Sequence, residues 1–383
     1  MDIVKEGTLL GVNHNILVIT TVYRVGEKIY PIIPLLAQHA NVDVLNLYQM
    51  SCNSPWIGTS DPRTALYDIC QKCCNRVIHG PAACKGGDNM AKIYDPFAKK
   101  LDKILSPPYN AMLIDNNIPT KGGATADIYQ WLKKQGAAVI AAPHSNRDFK
   151  GYKVLKRMSN YFDYSFVLGD KDIKNIIKTE KGDKKQKKRL IPAGIPSNDK
   201  LKDYKHNGKY ILVITNITDP KQIQGPVKHL KPFTKAEVDA LKLTKLAEEF
   251  NCDVVIKLKN KMFYQTDHFE DSLKGYEGLK FITDCDDDNK LIANAKFVIS
   301  HPSTMAFKPV QLGVPTFLLG RYGMVGNFYD FPDLIECDYK SLKKAMEKDN
   351  TSKYKDFIRE TLTGGIDFTS SQIYIKNILE RCS

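Results

Sequence analysis

The first half of the chain alternates short apolar runs with longer amphipathic segments. The segments 27–39 and 124–135 repeat apolar residues at helical spacing, which predicts a helix in each. Such an alternation is typical of a mostly parallel sheet that is covered by helices. The apolar runs that predict the strands of this sheet lie at 15–21, 42–47, 110–115, 137–142, 164–169 and 189–194.

A second alternation of the same kind begins at residue 210. Its longest helical pattern spans 235–250, and shorter ones lie near 288–295 and 304–312. Between the two halves, the polar segment 199–208 ends at a glycine and predicts a linker. The strand-like runs of the second half lie at 210–215, 253–257, 279–283, 296–300 and 315–319.

The two alternations predict an α/β protein with two Rossmann-like domains that face each other across a cleft. We place one domain at 1–205, the second at 206–365 and a C-terminal helix within 366–383. In such a pair of sheets a ligand lies in the crevice beyond the carboxyl ends of the strands, so we search there for chemistry-bearing residues.

The composition shows that the chain is positively charged overall. The 383 residues are 43% hydrophobic and 26% charged, as in ordinary globular proteins, and the formal net charge is +13. A positive surface favours anionic partners, from nucleotides to polymers. The run Lys171–Arg189 holds nine basic and three acidic residues. It is either a solvated loop or a guide for a polyanionic acceptor such as DNA or a phosphorylated polymer.

Other classes of protein are disfavoured. The chain has no apolar stretch long enough for a transmembrane segment and does not begin like a signal peptide, so we expect a cytoplasmic protein, in the host cytoplasm if viral. Nine cysteines, an odd number, predict reduced thiols rather than a disulfide framework. No P-loop or G-x-G-x-x-G turn is present, which argues against kinases and nicotinamide dehydrogenases.

Two clusters carry metal-type ligands. Cys70, Cys73 and Cys74, with His79 and Cys84 nearby, offer zinc-type ligands, but the spacing of the first three equally suits burial on one helical face. The acidic stretch 284–288 is better explained as a polar loop before a helix start, where carboxylates are favourable. We therefore expect no metal site and no cofactor.

The most informative stretch runs from Ile299 through Thr304. It predicts a strand, a turn with two hydroxyls and a helix start, where free backbone N–H groups and the hydroxyls of Ser303 and Thr304 suit a phosphate. Ser303 as a simple helix cap is the alternative. Lys257 ends a strand at the same edge, where it is either a cation for a diphosphate or a solvated strand end.

Three further residues end strands that face the predicted cleft. Thr215 and Asn216 follow the first strand of the second domain, and we predict that they contact the nucleotide or the acceptor. Asp115 ends a strand of the first domain, which predicts a minor role in acceptor binding.

The segment Ile299–Thr304, together with Pro315, resembles a motif of the CDP-glycerol glycerophosphotransferases, the teichoic-acid polymerase group of the GT-B superfamily. The resemblance implies a GT-B fold and a donor diphosphate held at Ser303 and Thr304. Two positions differ from the family pattern, because His301 replaces an aspartate and Lys308 replaces an acidic residue. With this resemblance Lys308 becomes a candidate cation for the donor.

Two more segments are similar to motifs of that family. Gly194 begins the sequence Gly-Ile-Pro-Ser-Asn-Asp-Lys-Leu, which implies a donor-binding position there, although a plain turn also explains the glycine. Ala141-Ala-Pro-His-Ser145 resembles the family's strand followed by a catalytic histidine, which makes His144 the candidate general base. Its reference pKa near 6.5 suits that role at neutral pH, and nearby Arg147 is a candidate for binding the acceptor.

The resemblance implies a transferase that moves a glycosyl or glycerophosphoryl group from a nucleotide-diphosphate donor to an acceptor hydroxyl, on an anionic polymer. The first domain would present the acceptor, the second would bind the donor, and the C-terminal helix would cross back to the first domain. Three alternatives stay open: a phage-type DNA glycosyltransferase, a non-hydrolysing sugar-nucleotide 2-epimerase, and a protein that keeps the nucleotide site without activity.

Overall fold

The computed structural model describes most of both halves of the chain, and every structural statement below concerns the described residues. They are 14–20, 29–46, 70–79, 97, 99–105, 108–114, 125–143, 154–215, 218, 231–258, 267–283, 285, 287–320 and 328–382.

The described strands form two separate, wholly parallel sheets. The first has seven strands in the order β3-β2-β1-β4-β5-β6-β7, and the second has six in the order β10-β9-β8-β11-β12-β13. Each order begins 3-2-1-4-5-6 within its own half, which is the Rossmann arrangement. The α/β fold class predicted from the sequence is therefore confirmed. The strands are β1 Asn15–Thr20, β2 Asn41–Asn46, β3 Arg76–His79, β4 Ala111–Ile114, β5 Ala138–Ala141, β6 Tyr164–Val167, β7 Leu190–Pro192, β8 Tyr210–Ile214, β9 Val254–Lys257, β10 Leu279–Ile282, β11 Ala295–Ser300, β12 Thr316–Leu319 and β13 Leu334–Ile335.

Helices lie between most of these strands, as parallel pairing requires. Three further 3₁₀ segments occur at Pro196–Asp203, Thr304–Ala306 and Thr351–Lys353. The α-helices are α1 Ile32–Leu36, α2 Leu101–Ile104, α3 Thr125–Lys134, α4 Val154–Tyr161, α5 Asp170–Glu180, α6 Lys184–Lys187, α7 Lys235–Leu241, α8 Leu243–Phe250, α9 Asp267–Ser272, α10 Asp288–Ala293, α11 Phe307–Gln311, α12 Tyr339–Met346, α13 Tyr354–Thr361 and α14 Ser370–Leu379.

Both faces of the first sheet are covered. Helices α2 to α5 pack on one face around Trp131, Met158 and Phe162, while α1 and α14 pack on the other around Ile33 and Tyr374. Since both faces are buried, the strands are apolar at nearly every position, which is why the sequence shows continuous runs there rather than an alternation. The second sheet is covered on both faces in the same way.

The prediction of one long helix at 235–250 is wrong in one respect. The chain forms two helices, α7 and α8, because Lys242 adopts a left-handed conformation with φ of 52° and ends the first of them. The apolar spacing continues across the break, since Leu241 and Leu243 are both fully buried. A periodicity count therefore could not reveal it.

The C-terminal segment packs on the first sheet. The Tyr374 ring of α14 stacks on Phe166 of β6 with 4.0 Å between ring centroids, and Asn110 donates a hydrogen bond to the Cys382 carbonyl oxygen at 3.2 Å. The preceding helix, α13, already contacts α5. The precise domain boundaries at 205 and 365 stay a prediction. No described helix is long and apolar enough to cross a membrane.

The turn after β7 joins three parts of the chain. Gly194 has a φ of +73°, and a side chain there would meet the Thr363 carbonyl oxygen at 2.2 Å. Asn198 is buried and donates to Gln311 of α11 at 2.6 Å. The Asp199 carboxylate accepts the first amide N–H groups of α14, from Ser371 at 2.7 Å and from Ser370. The motif that begins at Gly194 thus links the first sheet to α11 and to the C-terminal helix.

We predict that Gly194→Ala destabilises the protein by about 3–5 kcal/mol, because it combines a left-handed backbone with a clash against main-chain atoms. The matched control is Gly136→Ala, where φ is +75° and no atom lies within 4 Å of the added carbon. That control should cost only about 1–2 kcal/mol. Urea unfolding of both variants measures the difference, and equal losses would contradict the close approach at Gly194.

Candidate functional site

The candidate site lies at the carboxyl edge of the second sheet. Strands β9, β8 and β11 are neighbours and parallel, so Lys257, Thr215 and Ser300 end at the same edge. Ligands of open α/β sheets bind at this edge, beside the strand where the order reverses. In this sheet the reversal lies between β8 and β11.

Hydrogen bonds hold these strand ends together. Thr215 is buried, and both its amide and its hydroxyl donate to the Lys257 carbonyl oxygen, at 3.1 and 3.0 Å. On the other side, the His301 amide donates to the Ile214 carbonyl oxygen at 3.2 Å. Because the Thr215 hydroxyl already has a main-chain partner, its first role is to fix the end of β9.

The two lysines that the sequence singled out meet at one helix start. The Lys257 ammonium lies 3.1 Å from Asp288 Oδ1, and the Lys308 ammonium donates to Asn289 Oδ1 at 2.8 Å. Asp288 and Asn289 are the first two residues of α10, so the two cations lie beside the same helical turn. The Lys257 side chain is only 12% exposed, so its ion pair with Asp288 is little screened by solvent.

Asp287 builds the start of α10. Its Oδ1 accepts the amide N–H groups of Asn289 and Lys290, both at 3.0 Å, and its Oδ2 accepts the Tyr204 hydroxyl at 2.8 Å. Burial alone would raise the pKa of Asp287, but these hydrogen bonds outweigh it and hold the pKa below its usual range. The predicted polar loop before a helix start is thus a side-chain cap that also binds the segment between the two sheets.

The turn after β11 leads into eight helical residues. Ser303 is extended, Thr304–Ala306 forms a 3₁₀ turn, and α11 continues from it. The amides of Thr304 and Met305 form no hydrogen bond with any described residue, and Ser303 makes no side-chain cap. Lys308 follows Thr304 by four residues, and its ammonium donates to Asn289 of α10.

His301 has a different environment from the one its motif suggests. Its side chain is buried and meets the Phe233 ring edge-on with 5.8 Å between ring centroids. The preceding Ser300 hydroxyl is also buried and donates to the His301 carbonyl oxygen at 2.8 Å. These contacts stabilise the chain where it leaves β11 and pack the imidazole against Phe233.

The structure brings part of the predicted site together. Thr215, Lys257, Ser303, Thr304 and Lys308 all lie at the carboxyl edge of the second sheet. Gly194 is instead packed against the C-terminal segment, which explains the glycine structurally and leaves its donor-binding role a prediction. The remaining predicted site residues lie outside the described part of the chain: Asp115, His144, Arg147 and Asn216.

Sequence reasoning missed three members of this arrangement. Asp288 and Asn289 hold the two lysines, and Tyr204 binds the cap of α10. A signal for Asp288 at a helix start existed, since acidic residues are favourable at that end of a helix. Its pairing with Lys257, 31 positions earlier in the chain, depends on the sheet order and is not readable from local pattern.

The cysteine cluster gives no metal site within the described residues. Cys73 and Cys74 have their sulfur atoms 3.7 Å apart, and burial raises the pKa of the Cys73 thiol to about 11. No group of three or more described histidine, cysteine or acidic side chains is placed to hold a metal ion. His79, whose side chain is not described, and Cys84 are not part of this test.

Comparisons with known proteins bear on the fold. No family model and no curated protein matches the sequence. Among solved structures, a UDP-N-acetylglucosamine 2-epimerase is similar with a TM-score of 0.63 at 12% identity, over 96% of each chain. The 2-epimerase of Neisseria meningitidis, bound to UDP-GlcNAc, has a TM-score of 0.59 at 12% identity, over 96% of this chain and 100% of that one. The wall teichoic acid polymerase TagF has a TM-score of 0.55 at 13% identity, over 96% of this chain and 89% of that one.

The fold is of the GT-B type. Two Rossmann-like halves and a C-terminal helix on the first sheet follow that arrangement throughout the described residues. The fold that the resemblance at Ile299–Thr304 implied is thereby confirmed. At identities of 12–13% these similarities show the fold only, so any activity has to be argued from the residues of this chain.

We predict that Asp287→Ala destabilises the protein by about 1 kcal/mol at pH 7, because α10 loses its N-terminal cap. The folded-state pKa of Asp287 lies below its ordinary value, so this contribution is complete above that value and is lost as the pH falls through the folded pKa. Denaturant unfolding from pH 7 to pH 3 should show the gap between variant and parent closing. Tyr204→Phe, which removes one of the three bonds, should cost less, and a gap that widens in acid would contradict the assignment.

Proposed function

We propose that the protein is an enzyme that binds a nucleoside-diphosphate-activated compound at the carboxyl edge of the second sheet. One observation carries the proposal: Lys257 and Lys308 meet at the first turn of α10, and Lys308 belongs to the helix that follows the unbonded amides of Thr304 and Met305. Two cations and two amide donors at the switch point of a Rossmann sheet suit a diphosphate.

The two cations would play unequal parts. Lys257 is held by Asp288, so its charge is partly balanced before a ligand arrives. Lys308 donates to the Asn289 side-chain amide on α10 and lies four residues after Thr304, and in the proposal its ammonium contacts the bound diphosphate. Negative charge that grows on the phosphate oxygens of the departing nucleotide would be stabilised by these groups and by the amides, and the proposal includes no cofactor.

As a reaction we propose transfer to a hydroxyl. His144 would take the proton of the acceptor hydroxyl, and the acceptor oxygen would bond to the transferred group. For a glycosyl group, the bond from its anomeric carbon to the diphosphate would break, and the nucleoside diphosphate would leave with the electron pair. For a glycerophosphoryl group, the bond between the two phosphates would break, and a nucleoside monophosphate would leave with the electron pair. Arg147 and Asp115 would contact the acceptor, and Asn216 would contact the donor. The resemblance at Ala141–Ser145 and the TagF likeness support this proposal.

A second candidate reaction is 2-epimerisation of a sugar nucleotide. It is favoured by the likeness to UDP-N-acetylglucosamine 2-epimerases over at least 95% of this chain. Inversion at a carbon requires that its proton be removed and replaced, which needs a base and an acid in the cleft. The family motif that this segment resembles has an acidic residue where this chain has Lys308. The chain therefore lacks a carboxylate at that position, which weighs against epimerisation. Nothing in the comparisons favours a DNA base as the acceptor.

We predict that Lys308→Glu weakens UDP binding by at least about tenfold, since it places a negative charge over the turn that would hold the diphosphate. Isothermal titration of UDP measures the dissociation constant. Lys340→Glu is the matched control, because it changes the net charge equally at an exposed position of α12. An unchanged affinity in the Lys308 variant, with its melting temperature preserved, would contradict the diphosphate site.

The two reactions differ in their products. Incubated with UDP-GlcNAc in D₂O, a transferase should release UDP only when an acceptor such as a glycerol phosphate oligomer is present. An epimerase would instead form the C2 epimer and incorporate deuterium at that carbon without an acceptor. We expect acceptor-dependent release, and His144→Ala should slow it by about 10² while leaving UDP affinity intact. Deuterium incorporation without an acceptor would contradict the transferase proposal and favour the epimerase. Unaltered turnover in the His144→Ala variant would contradict the role of His144 as the base.

A further inference from the structure

In the basic run Lys171–Arg189, the first and last residues make contacts within the protein, whereas the lysines between them are exposed. Lys171 pairs with Asp330 and lies over the Phe357 ring, so it binds the first half of the protein to the second. Arg189 is used entirely inside the first half, where its guanidinium donates to three main-chain carbonyl oxygens. These belong to Asp163 at 2.6 Å, Phe162 at 3.0 Å and Met158 at 3.2 Å.

The acidic residues of the run serve backbone amides. Each carboxylate accepts N–H groups at the start of a helix or in the loop before it, which are positions that favour negative charge. Asp172 accepts from the Leu168 amide at 2.9 Å, and Asp183 accepts from the Gln186 amide at 2.7 Å. Glu180 accepts from the amides of Val154 and Leu155 at 2.5 and 2.9 Å. The acidic residues therefore stabilise local structure.

The middle of the run leaves seven lysines exposed, and none forms an ion pair with a described residue. Lys174 and Lys178 are four residues apart, so they lie on one face of α5 about 6 Å apart along its axis, and Lys181 is the left-handed residue that ends the helix. The other four cluster in and after α6. The seven, which we call the lysine strip, are Lys174, Lys178, Lys181, Lys184, Lys185, Lys187 and Lys188.

We propose that the lysine strip is a docking surface for the phosphate backbone of duplex nucleic acid, bound without regard to base sequence. The inference is independent of the proposed reaction and concerns binding only. The seven cations are spread over two successive helices, from Lys174 on α5 to Lys188 after α6, which suits an extended polyanion rather than a compact one. Duplex DNA carries about one negative charge per 1.7 Å of axis, a denser line of charge than a single phosphodiester chain.

Two features of the lysine strip favour this partner over an anionic bilayer. Proteins that lie on bilayers insert apolar side chains between their cations, whereas the described residues expose only Tyr329 and Leu334 as large hydrophobic side chains, and neither is in the run. The strip also consists of lysine alone. Lysine meets phosphate as a point charge, which suits backbone contacts and carries no base recognition.

The test is fluorescence anisotropy with a labelled 20-base-pair duplex, titrated with the full chain at several salt concentrations. The parent should bind with a slope of log K against log salt of about −5 to −6, as six or seven phosphate contacts require. Changing Lys184, Lys185, Lys187 and Lys188 to Gln should lower the affinity at least about tenfold and reduce the slope by about 3–4.

A matched control removes four other exposed lysines that form no ion pair with a described residue. They are Lys340, Lys344, Lys348 and Lys355, each changed to Gln. The control has the same net charge as the test variant, so it should retain the parent's slope and affinity within about threefold. Melting temperatures and UDP affinity confirm that both variants are folded.

Three results would overturn the proposal. They are absence of duplex binding by the parent, equal losses in the strip variant and the control, and a salt slope that the strip variant leaves unchanged. A fourth arm uses vesicles of neutral phospholipid with one fifth anionic lipid. Vesicle binding that depends on the strip, without duplex binding, would replace nucleic acid by a bilayer as the partner.

Discussion

The close packing of the turn at 194–199 against the end of the chain is the constraint on which the rest of the structure depends. Without a side chain at Gly194, the Thr363 carbonyl oxygen can approach the turn, and the next residues bind α11 through Asn198 and α14 through Asp199. A shared apolar cluster joins both halves at the same place, with Leu168 and Ile195 packed among side chains of the second half. The position of α11, and hence of the turn before it, is set by these contacts.

At the candidate site, the start of one helix holds two lysines. Lys257 lies beside the Asp288 carboxylate, and Lys308 donates to the side-chain amide of Asn289. A nearly buried ammonium without any partner would be costly, so Asp288 offsets the cost of burying Lys257. The site thus combines two lysines with the amides of Thr304 and Met305, which bond to no described residue.

The hydrophobic pattern of the sequence predicted the elements whose position depends on local burial. The strands β4, β5, β8 and β11 are buried on both faces, so their apolar runs were readable within one or two residues. The two-residue strand β13 and the helix break at Lys242 were not, since a short edge strand has little pattern and the left-handed lysine breaks no periodicity. In the site, Ser303, Thr304 and Lys257 followed from their places after strands. The meeting of Lys257 and Lys308 did not, because it depends on which strands are neighbours.

A crystal structure of the protein with UDP tests the central claim most directly. The diphosphate should lie within hydrogen-bond distance of the Thr304 and Met305 amides, with the Lys308 ammonium within about 4 Å of a phosphate oxygen. A diphosphate bound anywhere else, or a turn after β11 whose amides are covered by protein in that crystal, would contradict the claim.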